Sequence, residues 1–147
     1  MADERKYAKL VIENTVDVLK DRPQGAPPSV GGIKALLINN EADGTVPNAP
    51  YLNAELVTRP TPVGPFEQHV HSEDEYVTLL GTTMEKAYEL DGVVEMWIED
   101  EKYVLTKSTA VFIPKGVYHG PIVFHKVDSP ILWVESSAAL NYSYGMM

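Results

Sequence analysis

Gly64-Pro65-Phe66-Glu67-Gln68-His69-Val70-His71-Ser72-Glu73-Asp74-Glu75, joined later by Ile113-Pro114-Lys115-Gly116-Val117-Tyr118-His119, is where the reading of this chain turns. Alternate residues of an extended strand point to one face, so His69 and His71 share a side. Glu75 keeps that parity if the backbone stays extended or turns evenly. His119, beside a Pro-Lys-Gly turn, can close the set. Three neutral imidazoles and one carboxylate form a ligand set for a first-row transition metal, with one or two positions left for water or substrate. The chain has 4 histidines, and three of them fall in this arrangement. Chance clustering in an acidic stretch is the competing reading, and the spacing disfavours it. Glu73 and Asp74 read as a solvated loop, either being an alternative ligand to Glu75.

The two segments together resemble the motifs of the cupin superfamily, in the manner of a small single-domain metal-binding cupin of the cupin-2 kind. The resemblance covers about residues 64 to 135. It implies an all-β double-stranded β-helix, a jelly-roll barrel with the metal at one mouth, and an N-terminal extension with room for a short helix. It also implies His69, His71, Glu75 and His119 as the metal ligands. Two departures stand out: Ser108-Thr109 occupies the place of the usual Gly-Asp turn, and Thr82 to Asp91 reads as an insertion after Gly81. Neither touches a ligand.

Composition bounds the rest. A chain of 147 residues, 44% hydrophobic, fits one domain with one core. Zero cysteines excludes disulfides, thiolate metal sites and a cysteine nucleophile. A formal charge of -9 argues against nucleic acid, whose phosphates need a basic face, and against an anionic membrane surface. No apolar run is long enough to span a bilayer. Met1-Ala2-Asp3-Glu4-Arg5-Lys6 does not read as an export signal, so a cytoplasmic location is expected.

Residues 4 to 20 carry a partial helical stripe of Tyr7, Leu10, Val11, Val16 and Leu19, against which the β-branched residues compete. Residues 22 to 32 are a Pro/Gly-rich loop, and 39 to 50 a polar turn region. Strands are expected at Ile33 to Ile38, Tyr51 to Arg59, Tyr76 to Leu80, Val93 to Ile98, Lys102 to Leu105, Ala110 to Ile113, Ile122 to His125 and Ile131 to Val134. Many short strands with little helix read as a sandwich or barrel. The organisation expected is an N-terminal extension over 1-60, a barrel core over 61-135 and a tail over 136-147, all in one domain. The apolar strand Ile33 to Ile38 has an edge to cover, so part of residues 1-60 is expected to pair with another subunit in a homodimer.

Other candidate cavity residues are weaker. His125, Glu95 and Tyr118 are candidate acid-base groups; Asn53, Glu55, Arg59, Phe112 and Trp97 are candidate substrate contacts. For each the plainer alternative is a barrel-core aromatic, a half-exposed histidine or a solvent-facing polar group. Histidine must be neutral to bind metal, so affinity is expected to fall below about pH 6. The ligand set suits one divalent metal, Fe, Mn, Zn or Ni, without choosing among them. Two functions follow. One is an enzyme acting on a small oxygenated molecule, as a dioxygenase or a metal-dependent isomerase or decarboxylase. The other is a non-catalytic protein that binds metal and a small ligand as a sensor or store.

Overall fold

A computed structural model of the chain describes residues 5-14, 30-38, 48-61 and 67-139. Most of the Pro/Gly-rich loop, the turn region at 39-47, Gly64 to Phe66 and the tail from 140 lie outside the described residues.

The body is two antiparallel sheets. Strands β1 (Ile33–Ile38), β2 (Leu52–Val57), β3 (Glu75–Gly81), β6 (Thr109–Ile113) and β8 (Ile131–Ser137) form one, in the order β1-β2-β8-β3-β6. Strands β4 (Glu89–Ile98), β5 (Glu101–Lys107) and β7 (His119–Val127) form the other, in the order β5-β4-β7. Alternation of side chains makes the strands that line the core two-faced. On β3, Glu75, Val77 and Leu79 are buried while Tyr76 and Leu80 are exposed; on β8, Ile131, Trp133 and Glu135 are buried. The inner faces meet over Val57, Val77, Leu79, Leu90, Val94, Met96, Ile122, Phe124 and Trp133. Phe124 of one sheet packs edge-on against Trp133 of the other at 6.0 Å, a contact worth about 0.5–1.5 kcal/mol beyond its buried area. Among the described residues no helix is long and apolar enough to cross a membrane.

Two expectations change. The helical stripe over residues 4-20 yields one 3-10 turn, Ala8–Leu10, and Val11 is already extended; Thr15 to Lys20 lie outside the described residues. Within the apparent insertion at Thr82 to Asp91, β4 starts at Glu89, reaching back to bury Leu90. β1 pairs with β2 of its own chain, and β2 with β8, so strands before residue 60 build the same wall as the motif strands. At the edge of β1, the Asn14 amide both donates to the Leu37 carbonyl (2.9 Å) and accepts the Leu37 N–H (2.7 Å), blunting part of an open strand edge.

Candidate metal centre

Backbone pairing brings the two motifs together. His69 and His119 exchange both main-chain hydrogen bonds, at 2.9 and 2.8 Å, in an isolated antiparallel bridge. The turn before His119 is tied down as well: Gly116 N–H donates to the His71 carbonyl at 3.1 Å, and Lys115 N–H to Asp74 Oδ1 at 2.9 Å. Asp74 thus serves the turn, and Glu73 is exposed; the carboxylate that turns inward is Glu75, at the head of β3.

His69, His71 and His119 are all buried, with one ring nitrogen from each within 4.8 Å of the others. Their ring centroids lie 4.3 to 5.0 Å apart. Two rings have their tautomers set by carbonyls, which only accept. His69 Nδ1 is 2.8 Å from the Glu67 carbonyl and His119 Nδ1 is 3.0 Å from the Val117 carbonyl, so each Nδ1 carries the hydrogen. In the neutral ring, Nε2 is left with its lone pair pointing inward. This is the orientation in which outer partners fix metal-binding imidazoles. Glu75 sits among them: Oε1 is 3.3 Å from His119 Nε2, and Oε2 is 3.5 Å from His71 Nε2.

Such a group of buried lone pairs is unfavourable by itself, because acceptors facing one another repel in a low-dielectric interior. A single proton relieves one contact, whereas a cation at the centre relieves all of them. The residues present therefore fit a metal. Burial holds His69 far below its ordinary value of 6.5, at about 4, and the neighbouring His119 and His71 lower it further against the opposing pull of the Glu67 carbonyl. His69 is consequently a neutral donor well into acid, and proton competition at this ligand moves below the expected threshold near pH 6.

Gly120 explains how the rings approach so closely. It has φ +99, and a Cβ there would meet the Glu67 carbonyl oxygen at 2.9 Å and His69 Nδ1 at 3.4 Å.

No family profile matches the chain, and no curated protein matches it. Solved structures do. An oxalate oxidase superposes with a TM-score of 0.55 over 98% of this chain and 66% of its own length, at 16% identity. An oxalate oxidase in complex with the substrate analogue glycolate gives 0.54 over 96% and 65%, at 17% identity. An RmlC-like cupin from Shewanella frigidimarina NCIMB 400 gives 0.42 over 63% and 68%, at 18% identity. This chain has the cupin fold.

Within that cupin frame the weaker candidates separate by parity. Glu95, Trp97 and His125 alternate with the buried Val94, Met96 and Phe124, so they stand on the outer face of β4 and β7. There Glu95 accepts from Trp97 Nε1 at 2.7 Å and pairs with His125 Nε2 at 2.9 Å. They form a surface cluster, and the cavity roles considered for them do not follow. Phe112 is exposed and packs on Tyr76 outside the sheet, Tyr118 is exposed beside Gln68 and Glu99, and Arg59 is exposed past the end of β2.

Asn53 and Glu55 go the other way. Both are fully buried on the inner face of β2, where Lys34 Nζ donates to Asn53 Oδ1 at 2.6 Å and to Glu55 Oε1 at 2.7 Å. Two members of this interior network escape a reading of the motifs alone, Lys34 and Glu135. The signal for Glu135 is its parity with Ile131 and Trp133.

Proposed function

We propose that the chain is a metalloenzyme whose centre is one divalent transition metal held by His69, His71, Glu75 and His119. The observation that carries this reading is the inward convergence of fixed imidazole lone pairs on a buried carboxylate, 3.3 Å from His119 Nε2. When bound, the metal supplies Lewis-acid polarisation of a carbonyl or enol, or activation of dioxygen. The chain's own residues orient the ligand rings, exclude water and hold the partners of the substrate. A four-ligand set would leave part of a six-coordinate metal's shell free, which would suit a small molecule with two neighbouring oxygens: a hydroxy acid, a dicarbonyl or a keto acid. The glycolate bound in one structural neighbour belongs to this class. The reaction is an oxidation by dioxygen or a metal-dependent isomerisation or decarboxylation of such a molecule.

The test is a melting-temperature shift of metal-loaded protein with glycolate, oxalate and simple diketones, followed by oxygen uptake with whichever binds. A ligand of the folded state must raise the melting temperature by mass action. Shifts that vanish on metal removal support the reading, and no shift with any of these compounds rejects it. Binding without oxygen uptake or ligand turnover selects the sensor or storage function instead.

A further inference from the structure

On the outer face of the five-stranded sheet, neighbouring strands place one residue each in a single cross-strand row. Phe112 of β6 is the register partner of Tyr76 on β3, Tyr76 of Ser136 on β8, and Ser136 of Leu52 on β2. Directly opposed residues of antiparallel strands stand about 4.5–5.5 Å apart, so large side chains in such a row make a continuous ridge. Ser136 is the small member, and it opens a notch between the aromatic pair and Leu52. The notch belongs to a groove of about 470 Å³, lined by Tyr76 and Phe112, by Pro50 and Leu52, and by Ser136 and Ser137. That volume lies in the range of small-molecule sites.

The chemistry of the groove has one sign. Tyr76 and Phe112 are each 50% exposed, with ring centroids 5.3 Å apart and planes tilted by 53°. Rings at that angle do not cover one another's faces, and an aromatic face carries the negative part of the ring quadrupole. Asp74, exposed just before β3, lines the same groove. Its Oδ1 accepts from Lys115 N–H at 2.9 Å, which fixes the carboxylate without neutralising its charge. None of the described residues that line the groove is basic, and the chain as a whole carries a formal charge of -9. An anion is repelled from such a surface, and an uncharged apolar molecule gains only burial. A compact cation with an apolar shell gains from the rings, the carboxylate and the burial together.

We propose that this groove binds a free, small, multiply methylated ammonium compound, held by cation–π contact with Tyr76 and Phe112 and by the charge of Asp74. The site stands on the outer face of the sheet, whereas the histidines converge inside, so it is independent of the proposed function and of its metal. Glu75 lines the groove as well, but its carboxylate is turned toward His71 and His119.

Saturation-transfer NMR titration of choline into zinc-loaded and metal-free protein tests it, with dimethylbutanol, the uncharged carbon isostere of choline, titrated alongside at matched ionic strength. Choline is expected to bind in the millimolar range, about fivefold or more tighter than dimethylbutanol, with or without zinc. Phe112→Leu keeps an apolar side chain but removes the ring, and is expected to weaken choline about threefold or more. Asp74→Asn keeps an acceptor for Lys115 and removes the charge, so a loss of about twofold is expected, shrinking as salt is added. Tyr103→Leu removes a different exposed ring, one beside Glu101, and choline is expected to bind it as it binds the wild type. Equal binding of choline and dimethylbutanol overturns the proposal, as does no transfer to choline at tens of millimolar. Those two results need no variant, so a variant that fails to fold does not shelter the proposal. Wild-type affinity in both Phe112→Leu and Asp74→Asn overturns it, as does a loss in Tyr103→Leu equal to that in Phe112→Leu. Choline binding that disappears on removing zinc places choline at the histidine centre and overturns the proposal too.

Discussion

His119 Nε2 faces Glu75 Oε1 across 3.3 Å inside the protein, while the other nitrogen of the same ring is held by the Val117 carbonyl. Moving the hydrogen to Nε2 would only transfer the clash to Nδ1, whose lone pair would then face the Val117 carbonyl. The backbone enforces the arrangement, because His119 is bridged to His69 on both sides by main-chain hydrogen bonds. A metal would therefore bind an already assembled set of donors at small cost in chain ordering.

Removing one ligand should open the shell without unfolding the barrel, whose core is apolar and lies deeper between the sheets. For His71→Ala, metal content measured after dialysis should fall well below that of the wild type, with near-UV circular dichroism retained. Unfolding in every ligand variant would instead mark the site as structural.

Gly120→Ala tests the close approach of the two motifs. A methyl group there meets the Glu67 carbonyl at 2.9 Å, on a backbone with φ +99, so the chain must shift beside His69. Destabilisation of about 1 kcal/mol or more is expected, together with weaker metal binding. Denaturant melts and a metal titration check both, and an Ala variant with wild-type values would contradict the proposed packing.

The buried groups give the metal-free protein opposing pH slopes. His69 is lowered from 6.5 to about 4, so the unfolded chain binds more protons between those values, and stability falls as pH drops through that window. Glu135 is raised from 4.5 to about 8, so the folded chain binds more protons between those values, and stability falls as pH rises through that window. Glu135→Gln cannot titrate. Its melting temperature should gain on that of the wild type as pH rises from 4.5 toward 8, and a gap that stays constant with pH would exclude the raised carboxyl.

Lys34→Met removes the cation from a buried pair while keeping most of the volume. Losing one partner of such a pair costs about 3–5 kcal/mol, so a clear fall in the urea midpoint is expected. A neutral outcome would show that the Lys34–Glu55 contact at 2.7 Å contributes little.

Much of the wall was legible in the sequence, because short apolar and β-branched runs such as Ile131 to Val134 are bounded by turn residues, here Asp128-Ser129-Pro130. The helical stripe misled because Tyr7, Leu10 and Val11, three of the apolar residues that defined it, are exposed and pack into no helix face. Parity was informative but ambiguous in sign. Glu95, Trp97 and His125 share a face, and only the partner sheet reveals it as the outer one. Asn53 and Glu55 share parity on one strand, and Glu135 shares it with Ile131 and Trp133, but their joining into one buried network could not be read locally, since it depends on Lys34 of β1 and on pairing between β2 and β8.

Light scattering addresses assembly. A homodimer is expected at tens of micromolar, and a monomer there would reject the pairing proposed for residues 1-60.

Elemental analysis of tag-free protein, paired with the same measurement on His119→Ala, tests the central claim most directly. About one equivalent of a first-row transition metal per chain in the wild type, and little in the folded His119→Ala variant, is the predicted result. Full occupancy in His119→Ala, or a wild type that takes up none of these metals when they are offered, would contradict it.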